Sequence, residues 1–98
     1  MVAYEFDAEL YLWESGAASW VFLDLPHEIA DEIDEGPGEP RGFGSVRVEV
    51  TVGSTTWRTS VFPSKKQATY VLPVKRAVRR AEELEVGDLV TVGLTVLA

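Results

Sequence analysis

The chain opens on a strict alternation. From Tyr4 to Trp13, Tyr4, Phe6, Ala8, Leu10 and Leu12 fall on one side, and Glu5, Asp7 and Glu9 on the other. A period of two over such a stretch predicts a strand with one buried face. Ser15-Gly16-Ala17-Ala18 interrupts it as a turn does, and Ser19–Leu25 follows as a second strand. Trp20, Val21, Phe22 and Leu23 make that strand almost continuously apolar, which predicts burial on both faces.

The period then changes. Pro26 suits the first position of a helix, and Glu28–Glu35 places Ile29 and Ile33 one turn apart with acids around them. Gly36 is positioned to cap that helix, and Gly36–Gly42 reads as an irregular surface loop. Val46, Val48, Val50 and Val52 alternate with Arg47, Glu49 and Thr51, the clearest strand in the chain. Gly53-Ser54 suits a type II′ hairpin turn, and Thr55–Phe62 returns as a strand closed by Pro63. A polar loop carrying Lys65 and Lys66 leads to a short strand, Thr69–Leu72. Pro73 suits the start of a second helix, with Val74, Ala77, Val78, Ala81 and Leu84 on one face and Lys75, Arg76, Arg79 and Arg80 on the other. Val86-Gly87-Asp88 is a turn, and Leu89–Leu97 is the last strand.

The order ββ-α-ββ-β-α-β predicts a mainly β, β-rich α+β protein. Its expected form is a small six-stranded split β-barrel with two short helices, one domain over residues 1–98. Closing the sheet also removes exposed edges, which a chain this rich in valine needs to protect. The length of 98 residues suits a single core.

Composition narrows the chemistry. With no cysteine, disulfides, thiol catalysis and cysteine-held metal clusters are excluded. The net charge of −7 argues against general binding to nucleic acid or anionic lipid. That charge is divided unevenly. Residues 1–40 hold eleven acids and no Lys or Arg, whereas residues 41–98 hold nine Lys or Arg and five acids, so the halves carry −11 and +4. Met1–Asp7 has neither the basic nor the apolar region of a signal peptide, and no apolar run is long enough to span a bilayer. The cytoplasm is the expected compartment, with no membrane partner.

Candidate chemistry is sparse. The single histidine, His27, can be written into a triad with Asp24, but no Gly-x-Ser-x-Gly elbow accompanies it. It reads as a solvated or capping residue, and no catalytic residue is assigned. Glu28, Asp31, Glu32 and Glu35 share one side of the first helix and offer oxygens to a hard cation. They lack the loop of a calcium site and read as a solvated acidic face, so no metal and no cofactor are expected. The glycines from Gly36 to Gly44 follow a helix and precede a strand, the reverse of a phosphate-binding loop.

The second helix is more informative. Lys75 and Arg76 in its first turn oppose the helix dipole, by about 0.3–1 kcal/mol per charge. Such a choice implies nearby acids or an anionic ligand. Arg79 and Arg80 follow one turn later, and Arg58, Lys65 and Lys66 can join one cationic surface. Neutralisation by the acidic half, with Glu83 as a local partner for Arg79 or Arg80, stands first; an anionic ligand or partner stands second. In the second reading the site is Arg58, Tyr70, Lys75, Arg76 and Arg79. Lys75 and Arg79 supply charge, Arg58 a bidentate fork and Tyr70 a polar-tipped wall. Trp13, Trp20, Trp57, Phe43, Phe62 and Tyr70 are candidates for stacking beside it, although Trp20 and Trp57 sit in core-patterned strands.

Several runs carry a family resemblance. Gly42-Phe43-Gly44-Ser45-Val46-Arg47-Val48, Trp57–Pro63, Tyr70–Arg79 and Gly87–Val92, with Phe6–Leu10 and Trp20–Pro26, resemble the bacterial domain of unknown function 1905. The resemblance spans nearly the whole chain and implies a β-barrel of the double-split kind. The helix followed by Gly87-Asp88-x-Val90 is also similar to the barrels of AbrB and MazE regulators, which bind DNA as dimers. The family brings no established activity. Some members continue into a segment associated with bacteriocin protection, which this chain is not expected to carry after Ala98.

The leading functional reading is a non-catalytic binding module with an anion-binding surface near the start of the second helix. Its expected partner is a small anionic ligand or an acidic protein surface, bound by a monomer or homodimer. One alternative is a DNA-binding regulator resembling AbrB or MazE, against which the net charge weighs. The other is an enzyme on a small anionic substrate, which requires convergent polar groups and a strongly shifted carboxylate.

Overall fold

The computed structural model describes residues 2–35 and 44–97. Seven strands and two helices follow one another as β1 (Val2–Glu9), β2 (Tyr11–Ser15), β3 (Ala18–Asp24), α1 (His27–Glu35), β4 (Val46–Val52), β5 (Thr55–Ser64), β6 (Thr69–Pro73), α2 (Arg76–Ala81) and β7 (Leu89–Val96). The strands form one antiparallel sheet in the order β1-β7-β4-β5-β6-β3-β2, curled into a half-barrel. The mainly β fold with two short helices is as the sequence predicts, with seven strands in place of six.

The extra strand arises at Leu10. The alternation runs through this residue unbroken, yet the backbone changes partner there. β1 pairs with β7 along its length, from Val2↔Val96 to Glu9↔Leu89. β2 pairs with β3, from Tyr11↔Phe22 to Ser15↔Ala18. Leu10 itself is 1% exposed. Its N–H donates to the Asp88 carbonyl (3.0 Å), and its own carbonyl accepts from Gly87 N–H (2.8 Å). One chain segment thus forms both edges of the sheet, and the corner between them holds the curl covalently.

β5 turns the other corner. Its first part pairs with β4, from Thr55↔Val52 to Val61↔Val46, and its end pairs with β6, from Phe62↔Val71 to Ser64↔Thr69. Gly44, at φ +80°, lies against this bend. A side chain there would meet the Pro63 ring within 2.9 Å.

The concave face is the core. Val46, Val48, Val50 and Val52 meet Val61, Val90, Val92 and Leu94, with Leu23 and Leu72 from the neighbouring strands. Helix α1 places Ala30 and Ile33 into it, with Ile29 packed alongside. Pro26 precedes the helix, and its carbonyl accepts the Ile29 and Ala30 N–H groups at 3.0 Å. Among the described residues, no buried side-chain nitrogen or oxygen lacks a hydrogen bond, as a low-dielectric interior requires.

Three expectations need correction. β3 is not buried on both faces: Val21 and Leu23 are inside, whereas Trp20 is 48% exposed and Phe22 half-buried. Pro73 belongs to β6, and α2 begins only at Arg76. Of the residues expected on its apolar face, Val78 is buried within the helix, while Ala77 and Ala81 are exposed. The helix stops after six residues because Glu83 adopts φ +54°. Leu84 N–H then bonds the Arg79 carbonyl and Glu83 N–H the Arg80 carbonyl, a Schellman closure built without glycine. The Gly36 cap and most of the glycine-rich loop, with Phe43, lie outside the described residues.

Candidate functional site

Helix α2 owes its position to two sets of contacts. Val74 N–H bonds the Val21 carbonyl (2.9 Å), anchoring the chain just before the helix, and Val78 enters the core. At the other end Glu82 reaches the β4–β5 turn. Its carboxylate accepts from the Thr55 hydroxyl (2.6 Å) and the Ser54 hydroxyl (3.2 Å). These bonds, Thr55 foremost, lower its pKa below the ordinary 4.5 against a smaller opposing effect of desolvation. The turn carries Gly53 at φ +59°, and a side chain there would strike the Glu82 carboxylate.

So held, α2 presents Arg76, Arg79 and Arg80 around one open depression of 460 Å³, completed by Glu83, Leu84 and Glu85. Arg79 donates from Nε to the Val74 carbonyl (3.1 Å), which fixes its stem against the link between β6 and α2. Lys75, the N-cap residue, is exposed and its side chain makes no capping bond. Two expected members of the cationic surface are occupied elsewhere. Arg58, on the outer face of β5, pairs with Glu49 directly across from it on β4 (Nε–Oε2 3.3 Å). Tyr70 is buried, and its phenol donates to Asp34 of α1. The structure thus gathers Arg76 and Arg79, adds Arg80, and sets Arg58 and Tyr70 to structural bonds.

The divided charge is not cancelled by close pairing. Among the described residues, Arg58–Glu49 is the one ion pair within 4.0 Å, and both partners come from the basic half. Glu83 lies beside Arg79 and Arg80 without forming a pair at that distance. The acids of β1 face outward on a different strand, where Asp7 accepts from the Thr91 hydroxyl (2.7 Å).

A second depression, of 410 Å³, lies where β1 passes into β2. Asp7, Glu9, Tyr11, Asp24 and His27 line it. Two of these residues are joined by a 2.6 Å hydrogen bond from the Tyr11 phenol to Asp24. Desolvation, then this bond, pushes the Tyr11 pKa up to about 12. His27 is exposed, with Nε2 3.4 Å from the Gln67 carbonyl oxygen. Glu28, Asp31, Glu32 and Glu35 form no metal-ligand cluster among the described residues.

A third depression, of 450 Å³, is mostly apolar. Trp13, Phe22, Val71 and Pro63 form its walls and floor, with Lys66 and Gln67 on the rim. Trp57 packs against the core as its pattern suggested, but Trp20 stands outside beside this groove. The signal was present: Trp20 and Phe22 share a strand face opposite to Val21 and Leu23. Whether such a face is covered depends on tertiary packing.

The architecture is a seven-stranded sheet curled into a half-barrel, with two short helices and open depressions on its surface. The chain belongs to the family described as Domain of unknown function (DUF1905), whose model matches residues 6–94. A comparison with curated proteins finds no match. Among the described residues no helix is long and apolar enough to cross a membrane.

Proposed function

We propose that this domain is a binding module whose ligand-accepting surface is the arginine face of α2. The observation carrying this reading is the convergence of Arg76, Arg79 and Arg80 on one depression, with no carboxylate in ion-pair contact among the described residues. Three guanidiniums and two carboxylates, Glu83 and Glu85, line the depression, which leaves it a net positive charge that an anion would offset. Guanidiniums present planar forks that match carboxylate and phosphate oxygens two at a time. Arg79 enters with its stem already fixed by the Val74 carbonyl, which reduces the entropy lost on binding. Lys75 adds charge at the same end. The ligand class is a small phosphate- or carboxylate-bearing molecule, or an acidic segment of a partner. The test is titration of the protein with inorganic phosphate, followed by amide and guanidinium chemical shifts. Saturable shifts confined to Lys75–Glu85 support the reading, and their absence removes it.

A further inference from the structure

The outer face of the β5-β6-β3-β2 half of the sheet is the least ordinary surface of this chain. Cross-strand register places Tyr11, Trp13, Trp20, Phe22, Val71 and Phe62 on that one face. All ring contacts among the described residues occur here. Phe22 is the hub, 6.2 Å from Tyr11, 6.0 Å from Trp13 and 6.1 Å from Trp20, whose ring lies parallel to it. Val71 is 7% exposed yet stands outside the main core cluster, and it lines the same depression as Trp13 and Phe22. Neither helix covers this face: α1 delivers Ala30 and Ile33, and α2 delivers Val78, to the core on the other side.

The hairpin itself stands free. Every residue from Leu12 to Trp20 is exposed, including Leu12 at 49%, Trp13 at 38% and Trp20 at 48%. β2 is an edge strand, so one side of its backbone ladder is open. A two-stranded arm with large apolar side chains in water is marginal by itself and invites cover.

We infer that this aromatic face is a self-association surface, taken by the same face of a second copy of the chain about a two-fold axis. Area supports that occupant. Trp13, Trp20 and Phe62 together expose roughly 300 Å² of apolar surface, given about 150–250 Å² for a whole aromatic side chain. Two copies meeting through it cover about 600 Å² of apolar surface. At the usual apolar share of about 56–58% that corresponds to an interface of roughly 1,000–1,100 Å², the size of a weak specific contact. Charge agrees. Register places one acid, Asp24, on this face, hydrogen-bonded by the Tyr11 phenol, and one base, Lys66, lies at its margin. Two copies therefore meet without like charges being forced together, although the chain carries −7 overall. The face is distinct from the arginine depression, so the two proposals stand or fall separately.

Sedimentation velocity on the intact chain, from about 1 μM to about 1 mM, tests this across the range of weak to moderate association. A monomer–dimer equilibrium that stops at two copies is expected, since a two-fold contact closes on itself. Trp20→Ser and Phe62→Ser, on different strands, should each weaken it at least tenfold. Leu89→Ser, at a leucine 71% exposed on β7, should leave it unchanged. Hydrogen exchange of the unaltered protein gives a reading that needs no variant: amides of Leu12–Trp20 slow as concentration rises, and those near Leu89 do not. A chain monomeric throughout the range overturns the inference, as does open-ended assembly. So does a monomer that binds anilinonaphthalene sulfonate in the groove, which would assign the face to a small aromatic ligand.

Discussion

The corner at Leu10 makes a prediction that separates this fold from a simple continuous strand. In the alternation, Leu10 and Leu12 are equivalent, two residues apart on one face. In the fold they are not: Leu10 is 1% exposed and Leu12 is 49% exposed. Leu10→Ala removes about three buried methylene equivalents, or about 2.4 kcal/mol at about 0.8 kcal/mol each. The cavity left in a closely packed corner raises that to about 3–5 kcal/mol. The backbone bonds of Leu10 to Asp88 and Gly87 survive the substitution, so the loss reports packing alone. Leu12→Ala gives up about half the transfer term and leaves no cavity, about 1 kcal/mol. Urea unfolding of both variants, at one low protein concentration that keeps the chain monomeric, measures the difference. A gap of at least about 2 kcal/mol is expected, or roughly 8–16 °C in Tm for a domain of this size. Equal losses would refute the corner and restore an uninterrupted first strand.

Three further outcomes follow from the contacts around α2 and Tyr11. Because Glu82 has a lowered pKa in the fold, its stabilising effect is present above the ordinary carboxylate value of 4.5 and is lost as pH falls through the lower folded value. Acid unfolding of Glu82→Gln should therefore show a shallower loss below that pH than the parent. Tyr11 has the opposite sign: its contribution is full below pH 10 and disappears as pH rises from 10 toward about 12. Stability measured across this range should fall less for Tyr11→Phe than for the parent. Gly53→Ala places a side chain at φ +59° against the Glu82 carboxylate. The backbone alone should cost about 1–2 kcal/mol, read as a lower urea midpoint with unchanged slope.

Much of the fold was legible because strand burial is written with a period of two. Val46, Val48, Val50 and Val52 are all inside, and the Gly53-Ser54 turn joins β4 to β5 in register. The first helix was legible for the same kind of reason, from Ile29 and Ile33. What the pattern hides is a change of partner that keeps the same phase. Leu10 stays apolar and inward while the ladder passes from β7 to β3, so no residue type marks the corner. Pro73 was ambiguous, since a proline is tolerated at the end of a strand as well as at the start of a helix. The end of α2 was hidden because Glu83 takes a left-handed conformation that glycine usually signals.

The binding surface was legible only in part. Arg76 and Arg79 lie one turn apart, and a helix forces such residues onto one side. Arg58 and Tyr70 were joined to them by residue type, whereas strand register and the packing of α1 direct them to Glu49 and Asp34. The aromatic groove depends on four strands from separate parts of the chain, so no local stretch of sequence contains it.

The central claim, that the arginine face of α2 accepts an anion, is tested most directly by isothermal calorimetry with inorganic pyrophosphate at constant ionic strength. The parent should bind with a saturable stoichiometry of one per chain. The double variant Arg76→Ala, Arg79→Ala should lose at least tenfold in affinity while retaining its fold by circular dichroism. No saturable heat with the parent, or equal affinity in the double variant, would contradict the account.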